Sequence, residues 1–204
     1  MINEFPVVEI FSSLQGEGKN TGRKANFIRL GKCNLKCPWC DTLYNNFSIW
    51  TLDKILDSLD FSVKNVIVTG GEPTIHKNLN ILVEALKIKK FNVWVETNGL
   101  LPIPDNVDFV AMSPKRIYMD LYKKTKNMLI DEVRVVVDDK DIFDFCEFIE
   151  TRTKADEYYL SPCEIDGEMN IEETIQVLGN LNDRVNKKQD WRLSIQAHKI
   201  LGMR

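Results

Sequence analysis

The chain has 204 residues, enough for one substantial hydrophobic core, and this length favours a single domain over residues 1–204. With 28% charged residues and a formal net charge of -3, it gives no electrostatic reason to expect a nucleic acid or a membrane surface as partner. No apolar run approaches the roughly 18 residues that cross a bilayer, and the N-terminal sequence lacks the pattern of a secretory leader. We therefore expect a cytoplasmic protein.

Apolar, β-branched runs alternate with amphipathic stretches along the chain. The runs predict strands at residues 26–30, 65–69, 92–96, 108–112, 132–137, 157–160 and 192–195. Apolar residues at helical spacing predict helices at residues 52–59, 76–89, 142–151 and 171–181, the first with Thr51 as its N-cap. Such alternation implies a parallel sheet. A complete TIM barrel has eight strand–helix units and usually needs about 250 residues, more than this chain has. The sequence thus predicts an α/β fold, a partial, open TIM-like barrel with about six parallel core strands.

Unusual residues follow four of these predicted strands. Cysteines follow the strand at 26–30, and Gly-Gly-Glu-Pro at 70–73 follows the strand at 65–69. Glu-Thr-Asn-Gly at 96–99 closes the next strand, and Ser-Pro-Lys at 113–115 follows the one after it. The C-terminal ends of parallel strands share one edge of the sheet, where such folds build their sites. We therefore expect the four motifs to form one site.

Three of the five cysteines, Cys33, Cys37 and Cys40, lie close together in the sequence. Clustered thiols in an odd total favour metal or redox chemistry over a secreted disulfide framework. Thiolates at short spacing ligate iron–sulfur clusters, and three ligands leave one iron of a [4Fe–4S] cluster open. The alternative is a zinc site completed by Cys163 or a histidine. Cys146, on the apolar face of a predicted helix, is expected to be a buried small hydrophobe.

The CxxxCxxC spacing, with Trp39 directly before the last cysteine, resembles the signature of the radical S-adenosylmethionine superfamily. The resemblance implies that S-adenosylmethionine binds the open iron and that its reductive cleavage gives a radical that abstracts hydrogen from the substrate. The protein then supplies position and excludes solvent. In this interpretation Trp39 lies against the adenine, Gly99 allows close backbone contact with the cofactor, and Gln196 reaches the adenosine. The alternative role for Trp39 is to pack within the loop that carries the three cysteines.

Two other motifs resemble cofactor-binding segments of the same superfamily. Gly71 and Glu72 match a GGEP motif in which backbone and carboxylate accept hydrogen bonds from the ammonium of S-adenosylmethionine, although this sequence also suits a tight turn. Ser113 and Lys115 match a motif that holds the carboxylate of the cofactor. A solvated surface lysine is the alternative for Lys115.

Segments outside the cluster motif narrow the resemblance to the 7-carboxy-7-deazaguanine synthase family. They are residues 14–18, 22–23, 27–29, 40–42, 96–99 and 196–199. The implied reaction is the conversion of 6-carboxy-5,6,7,8-tetrahydropterin to 7-carboxy-7-deazaguanine with loss of ammonia, a lyase reaction of queuosine biosynthesis. The resemblance also implies a magnesium ion, a homodimer and a flavodoxin or ferredoxin as reductant. The compact cysteine spacing leaves open which reductant serves this chain.

The resemblance assigns residues to the substrate and the magnesium ion. Arg29 offers a planar fork for the substrate carboxylate, with a simple ion pair as the alternative, and Gln15 suits the pterin edge because it has both donor and acceptor. Thr42 is placed at the magnesium ion. The other implied substrate contacts are Leu14, Gly16, Glu17, Thr97, His198 and Arg204.

Two other functions fit the cysteine motif. A glycyl-radical activating enzyme is similarly compact and has the same cysteine spacing, but it needs a protein substrate and hence an exposed docking groove. From a different class, the chain could be a non-catalytic zinc- or cluster-binding module.

Overall fold

The structure, a computed structural model, describes residues 3–125, 128–139 and 142–202, without the side chain of His198. Its strands are β1 (Glu4–Leu14), β2 (Lys24–Leu30), β3 (Ser48–Thr51), β4 (Asn65–Gly70), β5 (Asn92–Thr97), β6 (Phe109–Met112), β7 (Met128–Val137), β8 (Thr153–Pro162), β9 (Glu164–Ile165), β10 (Glu168–Met169) and β11 (Trp191–Leu193). Its helices are α1 (Leu52–Asp57), α2 (Leu79–Ile88), α3 (Met119–Tyr122), α4 (Phe143–Arg152), α5 (Ile171–Asn182) and α6 (Ala197–Leu201). Within these ranges, none of the helices has the length and apolar character needed to cross a membrane.

One large sheet has the strand order β11-β8-β7-β6-β5-β4-β2-β1-β3, and β9 and β10 form a separate hairpin. The strands from β2 to β11 in this order are parallel, whereas β1 pairs antiparallel with both β2 and β3. Since β3 and β11 are edge strands, the sheet is an open barrel. The predicted fold class is confirmed, with seven parallel strands rather than about six.

The predicted strands and helices all occur, and several have different bounds. Thr51 caps α1 as predicted, because its hydroxyl accepts a hydrogen bond from the backbone N–H of Lys54 at 3.3 Å. The helix predicted from residue 76 begins only at Leu79, because residues 73–75 form a separate 3-10 turn. The antiparallel strands β1 and β3 were not among the predicted elements.

The helices cover the outer face of the sheet, and a small apolar cluster fills its inner face. Buried residues of α1 and α2 pack against β1, β2, β4 and β5, and those of α4 and α5 pack against β7, β8 and β11. The inner cluster contains Ala25, Phe27, Ile67 and Trp94. Side chains alternate between the two faces of a strand, so the residues two positions beyond this cluster face the same interior. The polar side chains of the site therefore lie directly next to this inner apolar cluster, towards the C-terminal ends of the strands.

Candidate active site

A cavity opens at the C-terminal ends of the parallel strands. All four motifs contribute to its wall, together with residues from β7, β8 and the segment before α6. The lining residues include Glu17, Cys33, Cys37, Trp39, Cys40, Thr42, Gly71, Glu72, Glu96, Thr97, Ser113, Lys115, Arg134, Cys163, Gln196 and Lys199. The structure thus brings most of the sequence-predicted site residues to one place.

The loop that carries Cys33, Cys37 and Cys40, here called the cysteine loop, follows β2 and is held in place by backbone hydrogen bonds. The N–H of Lys32 donates to the carbonyl of Tyr44 at 2.8 Å, and Glu72 donates from its backbone to the carbonyl of Lys32 at 2.9 Å. Cys33 and Cys37 are partly buried, and all three thiols are free. Burial raises the pKa of the Cys37 thiol to about 11. Ligation by a metal must therefore displace a proton from this group.

Gly70 and Gly71 bring β4 directly against the cysteine loop. A Cβ on Gly70 would lie 2.1 Å from the carbonyl oxygen of Leu30, and one on Gly71 would lie 1.9 Å from that of Lys32. Gly70 also has a φ of +126°, which L side chains rarely adopt. A side chain at Gly70 would therefore displace the end of β2, and one at Gly71 would displace the cysteine loop.

The carboxylate of Glu72 joins the ends of β4 and β5. It is 1% exposed and accepts hydrogen bonds from the Thr97 hydroxyl at 2.7 Å and the Asn98 N–H at 2.6 Å. The backbone and hydroxyl of Thr74 donate to the same side chain at 3.0 and 2.6 Å. This carboxylate fixes the segments at 70–73 and 96–99 relative to each other.

Lys115 lies in the cavity wall and not on the outer surface. Its ammonium donates to the Ser113 hydroxyl at 2.6 Å, and burial lowers its pKa. A partly desolvated cation beside a hydroxyl is suited to hold a carboxylate by charge-assisted hydrogen bonds. The alternative of a solvated surface lysine does not describe this side chain.

The segment after β1 places Gln15 and Glu17 beside β5 and α6. Gln15 donates from its side chain to Glu96 at 3.0 Å and accepts the backbone N–H of Glu17 at 3.1 Å. The side chain of Gln196 donates to Glu17 at 2.9 Å, and the carbonyl of Gly16 accepts the N–H of Ala197 at 3.0 Å. Gln196 lies three residues beyond β11 and lines the cavity beside Glu17.

Arg134 is a site residue that the sequence interpretation missed, and Glu96 was predicted only as part of the segment at 96–99, without a role of its own. The Arg134 guanidinium lies 2.7 Å from carboxylate oxygens of Glu17, Glu96 and Glu132, and Glu96 also accepts the Thr69 hydroxyl at 2.8 Å. Burial raises the pKa of Glu96, but the Arg134 guanidinium lowers it more, leaving a pKa of about 2. A signal was present in the sequence, since Glu132 and Arg134 are charges at alternate positions of the strand predicted at residues 132–137, whose other four residues are valines.

Arg29 is connected to the cavity through Thr42. Its guanidinium donates to the Thr42 hydroxyl at 3.3 Å and forms an ion pair with Glu9 at 3.0 Å, and 26% of its side chain is exposed. Thr42 itself lines the cavity, whereas Arg29 lies behind it. The ion pair given as the alternative for Arg29 is present, and the guanidinium reaches the cavity wall only through its hydrogen bond to Thr42.

Comparison with known proteins identifies the family. A family model described as the radical SAM superfamily matches residues 27–123. A protein of Haemophilus influenzae named 7-carboxy-7-deazaguanine synthase is 52% identical over 200 residues, which cover 98% of this chain and 94% of that protein. A protein of the same name from Neisseria meningitidis serogroup B is 49% identical over 201 residues, with the same two coverages. The chain belongs to the 7-carboxy-7-deazaguanine synthase family.

The fold agrees with this assignment. The crystal structure of QueE from Escherichia coli superposes with a TM-score of 0.72 at 27% identity, covering 96% of this chain and 95% of that one. Family membership makes the chain a radical S-adenosylmethionine enzyme of the lyase type. It acts on a small molecule and uses a [4Fe–4S] cluster, S-adenosylmethionine and Mg²⁺. It also decides against the glycyl-radical activating enzyme and the non-catalytic metal module.

The donor set of the cavity fits the cluster of the 7-carboxy-7-deazaguanine synthase family. Three free thiols on one wall are soft ligands of the kind that iron–sulfur clusters take, one for each of three irons. In the described ranges, no group of three or more His, Cys, Asp or Glu side chains is arranged to hold a metal ion by itself. Cys146 is fully buried in α4, as expected for a small hydrophobe.

The remaining predicted site residues lie outside the cavity wall or outside the described residues. Leu14 ends β1, and Gly99, with a φ of +78°, approaches the side chain of Met112. His198 belongs to α6, but its side chain is not described, and Arg204 lies outside the described residues.

Proposed function

We propose that this chain converts 6-carboxy-5,6,7,8-tetrahydropterin to 7-carboxy-7-deazaguanine with loss of ammonia, and that it does so in the cavity described above. The observation that carries the proposal is the family relationship over nearly the whole chain. The cavity agrees with it, because three thiols and the carboxylates of Glu17, Glu72 and Glu96 line the same space. The following roles for individual residues are part of the proposal.

One side of the cavity is assigned to the cluster and the cofactor. Cys33, Cys37 and Cys40 would hold three irons, and when bound, the cluster and S-adenosylmethionine supply one-electron reduction and a radical for hydrogen abstraction. The other cofactor contacts are assigned to Trp39, Gly71, Glu72, Gly99, Ser113, Lys115 and Gln196. Supporting this assignment, the ammonium of Lys115 lies in the cavity wall beside the Ser113 hydroxyl, where it offers a positive charge to the carboxylate of an amino acid.

The opposite side is assigned to the substrate and the magnesium ion. Arg29 would bind the substrate carboxylate beside a magnesium ion that is held at Thr42, a role supported by the hydrogen bond between the two side chains. A magnesium ion that keeps most of its waters needs few protein ligands. The donors of the pterin ring would meet Gln15, Glu17 and Glu96, while the other substrate contacts are assigned to Leu14, Gly16, Thr97, His198 and Arg204.

The proposal extends to partners, organisation and location. A flavodoxin or ferredoxin would supply the electron, and two copies of the chain would form a homodimer. We also propose that residues 1–204 act as one radical S-adenosylmethionine domain in the cytoplasm.

The function can be tested by pterin binding to the reconstituted enzyme under anaerobic conditions. We expect 6-carboxypterin to bind at least about tenfold more tightly than 6-methylpterin, because only the former offers a carboxylate to Arg29. Equal affinity for the two ligands, or no binding of either, would count against a pterin-carboxylate site.

Replacing Arg29 with alanine tests the assignment of the substrate carboxylate. We expect the KM for the pterin to rise about tenfold or more, because a charge-assisted interaction of about 1.5–3 kcal/mol is lost. Cofactor cleavage without substrate should change little. Arg23→Ala, an exposed arginine before β2, is the control and should leave the KM unchanged. A parallel loss of cofactor cleavage in Arg29→Ala would show that Arg29 supports the fold of the cluster loop instead.

A further inference from the structure

Arg134 is the centre of a largely buried ion cluster in the cavity wall. The residue is 5% exposed, and its guanidinium lies 2.7 Å from each of three carboxylates. These come from three parts of the fold: Glu17 follows β1, Glu96 belongs to β5, and Glu132 belongs to β7 together with Arg134 itself. One side chain thus connects three separate elements of the barrel.

The three carboxylates have different positions relative to the cavity. Glu17 and Glu96 line it, whereas Glu132 is 1% exposed and lies beneath Arg134. Glu132 also accepts the backbone N–H of Lys19 at 2.8 Å, and a Cβ on Gly18 would lie 2.3 Å from its carboxylate. Glu132 therefore holds the segment after β1 by a hydrogen bond and Arg134 by an ion pair, while Arg134 donates hydrogen bonds to the other two carboxylates.

The carboxylates of Glu17 and Glu96 can still accept hydrogen bonds from a ligand in the cavity. Glu17 accepts one hydrogen bond each from Arg134 and Gln196, and Glu96 accepts from Arg134, Gln15 and Thr69. An ionised carboxylate has about four lone-pair sites, so each retains at least one for a ligand. One guanidinium also faces three carboxylates, which favours a ligand rich in N–H donors.

We propose that Arg134 is a positioning residue that holds Glu17 and Glu96 in place as acceptors for the N–H donors of the pterin ring. The inference rests on the proposed function and adds to it the residue that orders the substrate side of the cavity. Arg134 acts through the two carboxylates and need not touch the substrate. Lysine cannot replace it, because a single ammonium lacks the planar fork that reaches several carboxylates at fixed angles.

The test is the Arg134→Lys variant, reconstituted with its cluster. We expect the Kd for 6-carboxypterin and the KM for the reduced substrate to rise at least about tenfold. Cluster content and cofactor cleavage without pterin should stay within about twofold of wild type, because the three ion-pair partners of Arg134 are Glu17, Glu96 and Glu132, none of which is assigned to the cluster or to the cofactor. A residue with a purely structural role would lower stability without separating these quantities.

Arg184 offers a matched control. It is a largely buried arginine that forms ion pairs with Glu147 at 3.0 Å and Glu150 at 2.6 Å, and it does not line the cavity. Arg184→Lys should lower the unfolding temperature, because it weakens a largely buried ion pair, and should leave the Kd for 6-carboxypterin unchanged.

Glu132→Gln provides a second variant that keeps the guanidinium and loosens it from below. We expect the Kd for 6-carboxypterin to rise in this variant as well, but by less than in Arg134→Lys. If Arg134→Lys does not fold, the Kd of Glu132→Gln tests the positioning role of Arg134. If the wild-type enzyme binds 6-carboxypterin and the folded variants bind it with the same Kd, the positioning role of Arg134 is wrong and the proposed function still stands. A wild-type enzyme that binds no 6-carboxypterin would overturn the proposed function and this inference with it.

Discussion

Replacement of Cys37 by alanine should abolish the bound cluster and reduce activity below detection. Cys37 lies between the other two thiols of the loop, and all three line one cavity wall. Each thiolate of a three-cysteine motif is the only protein ligand of its iron, so the loss of one leaves two irons open and the cluster labile. The measurement is iron and acid-labile sulfide per chain after anaerobic reconstitution, together with formation of 5′-deoxyadenosine.

Cys146→Ala is the matched control for the loss of a thiol. Cys146 is fully buried in α4 and far from the cavity wall, so the variant should keep its cluster and lose about 1 kcal/mol of stability at most. Cys163→Ala addresses the earlier zinc alternative, because Cys163 does line the cavity. Full iron and sulfide in Cys37→Ala, or their loss in Cys163→Ala, would contradict the ligand assignment.

The second large effect is expected at Glu72. Alanine at this position would leave the Asn98 N–H and the hydroxyl of Thr97 without their buried acceptor. Unsatisfied buried donors of this kind cost about 3 kcal/mol together, which corresponds to a fall in unfolding temperature of about 6–12 °C for a chain of this size. Because the same carboxylate holds two segments of the cavity wall together, affinity for S-adenosylmethionine should fall as well.

Glu72→Gln separates the two roles of this residue. It keeps the volume and one carbonyl acceptor, so it should lose less stability than the alanine variant, but it removes the negative charge assigned to the cofactor ammonium. Glu84→Gln, on the exposed side of α2, is the control and should leave both unfolding and cofactor binding unchanged. A Glu72→Gln enzyme with wild-type affinity for S-adenosylmethionine would remove Glu72 from the cofactor site.

The parallel part of the sheet was predictable because its strands are largely apolar runs, four of which are followed by the motifs of the site. The antiparallel strands β1 and β3 were not, since β1 contains Pro6 and buries its side chains without regular alternation. Strand β3 has only four residues, and three of them are exposed. Their pairing depends on the register between distant segments, such as Phe5 with Trp50, which no local pattern shows.

The candidate site likewise contains residues that the sequence indicates and residues that it does not. Cys33, Cys37, Cys40 and Glu72 belong to short motifs whose spacing is readable along the chain. The cluster around Arg134 is not a motif, because Glu17 and Arg134 are 117 positions apart and meet only when β7 lies beside the segment after β1. A pair of charges inside an apolar strand indicates a buried polar partner, but it does not show which residue that partner is.

The most direct test of the proposed function is anaerobic turnover of 6-carboxy-5,6,7,8-tetrahydropterin by the reconstituted enzyme, with S-adenosylmethionine, Mg²⁺ and a reductant. We predict 7-carboxy-7-deazaguanine and ammonia in equal amounts, measured by mass spectrometry and an ammonia assay, and none of either with Cys37→Ala. An enzyme with full cluster occupancy that cleaves S-adenosylmethionine but forms no deazaguanine would contradict the proposed function.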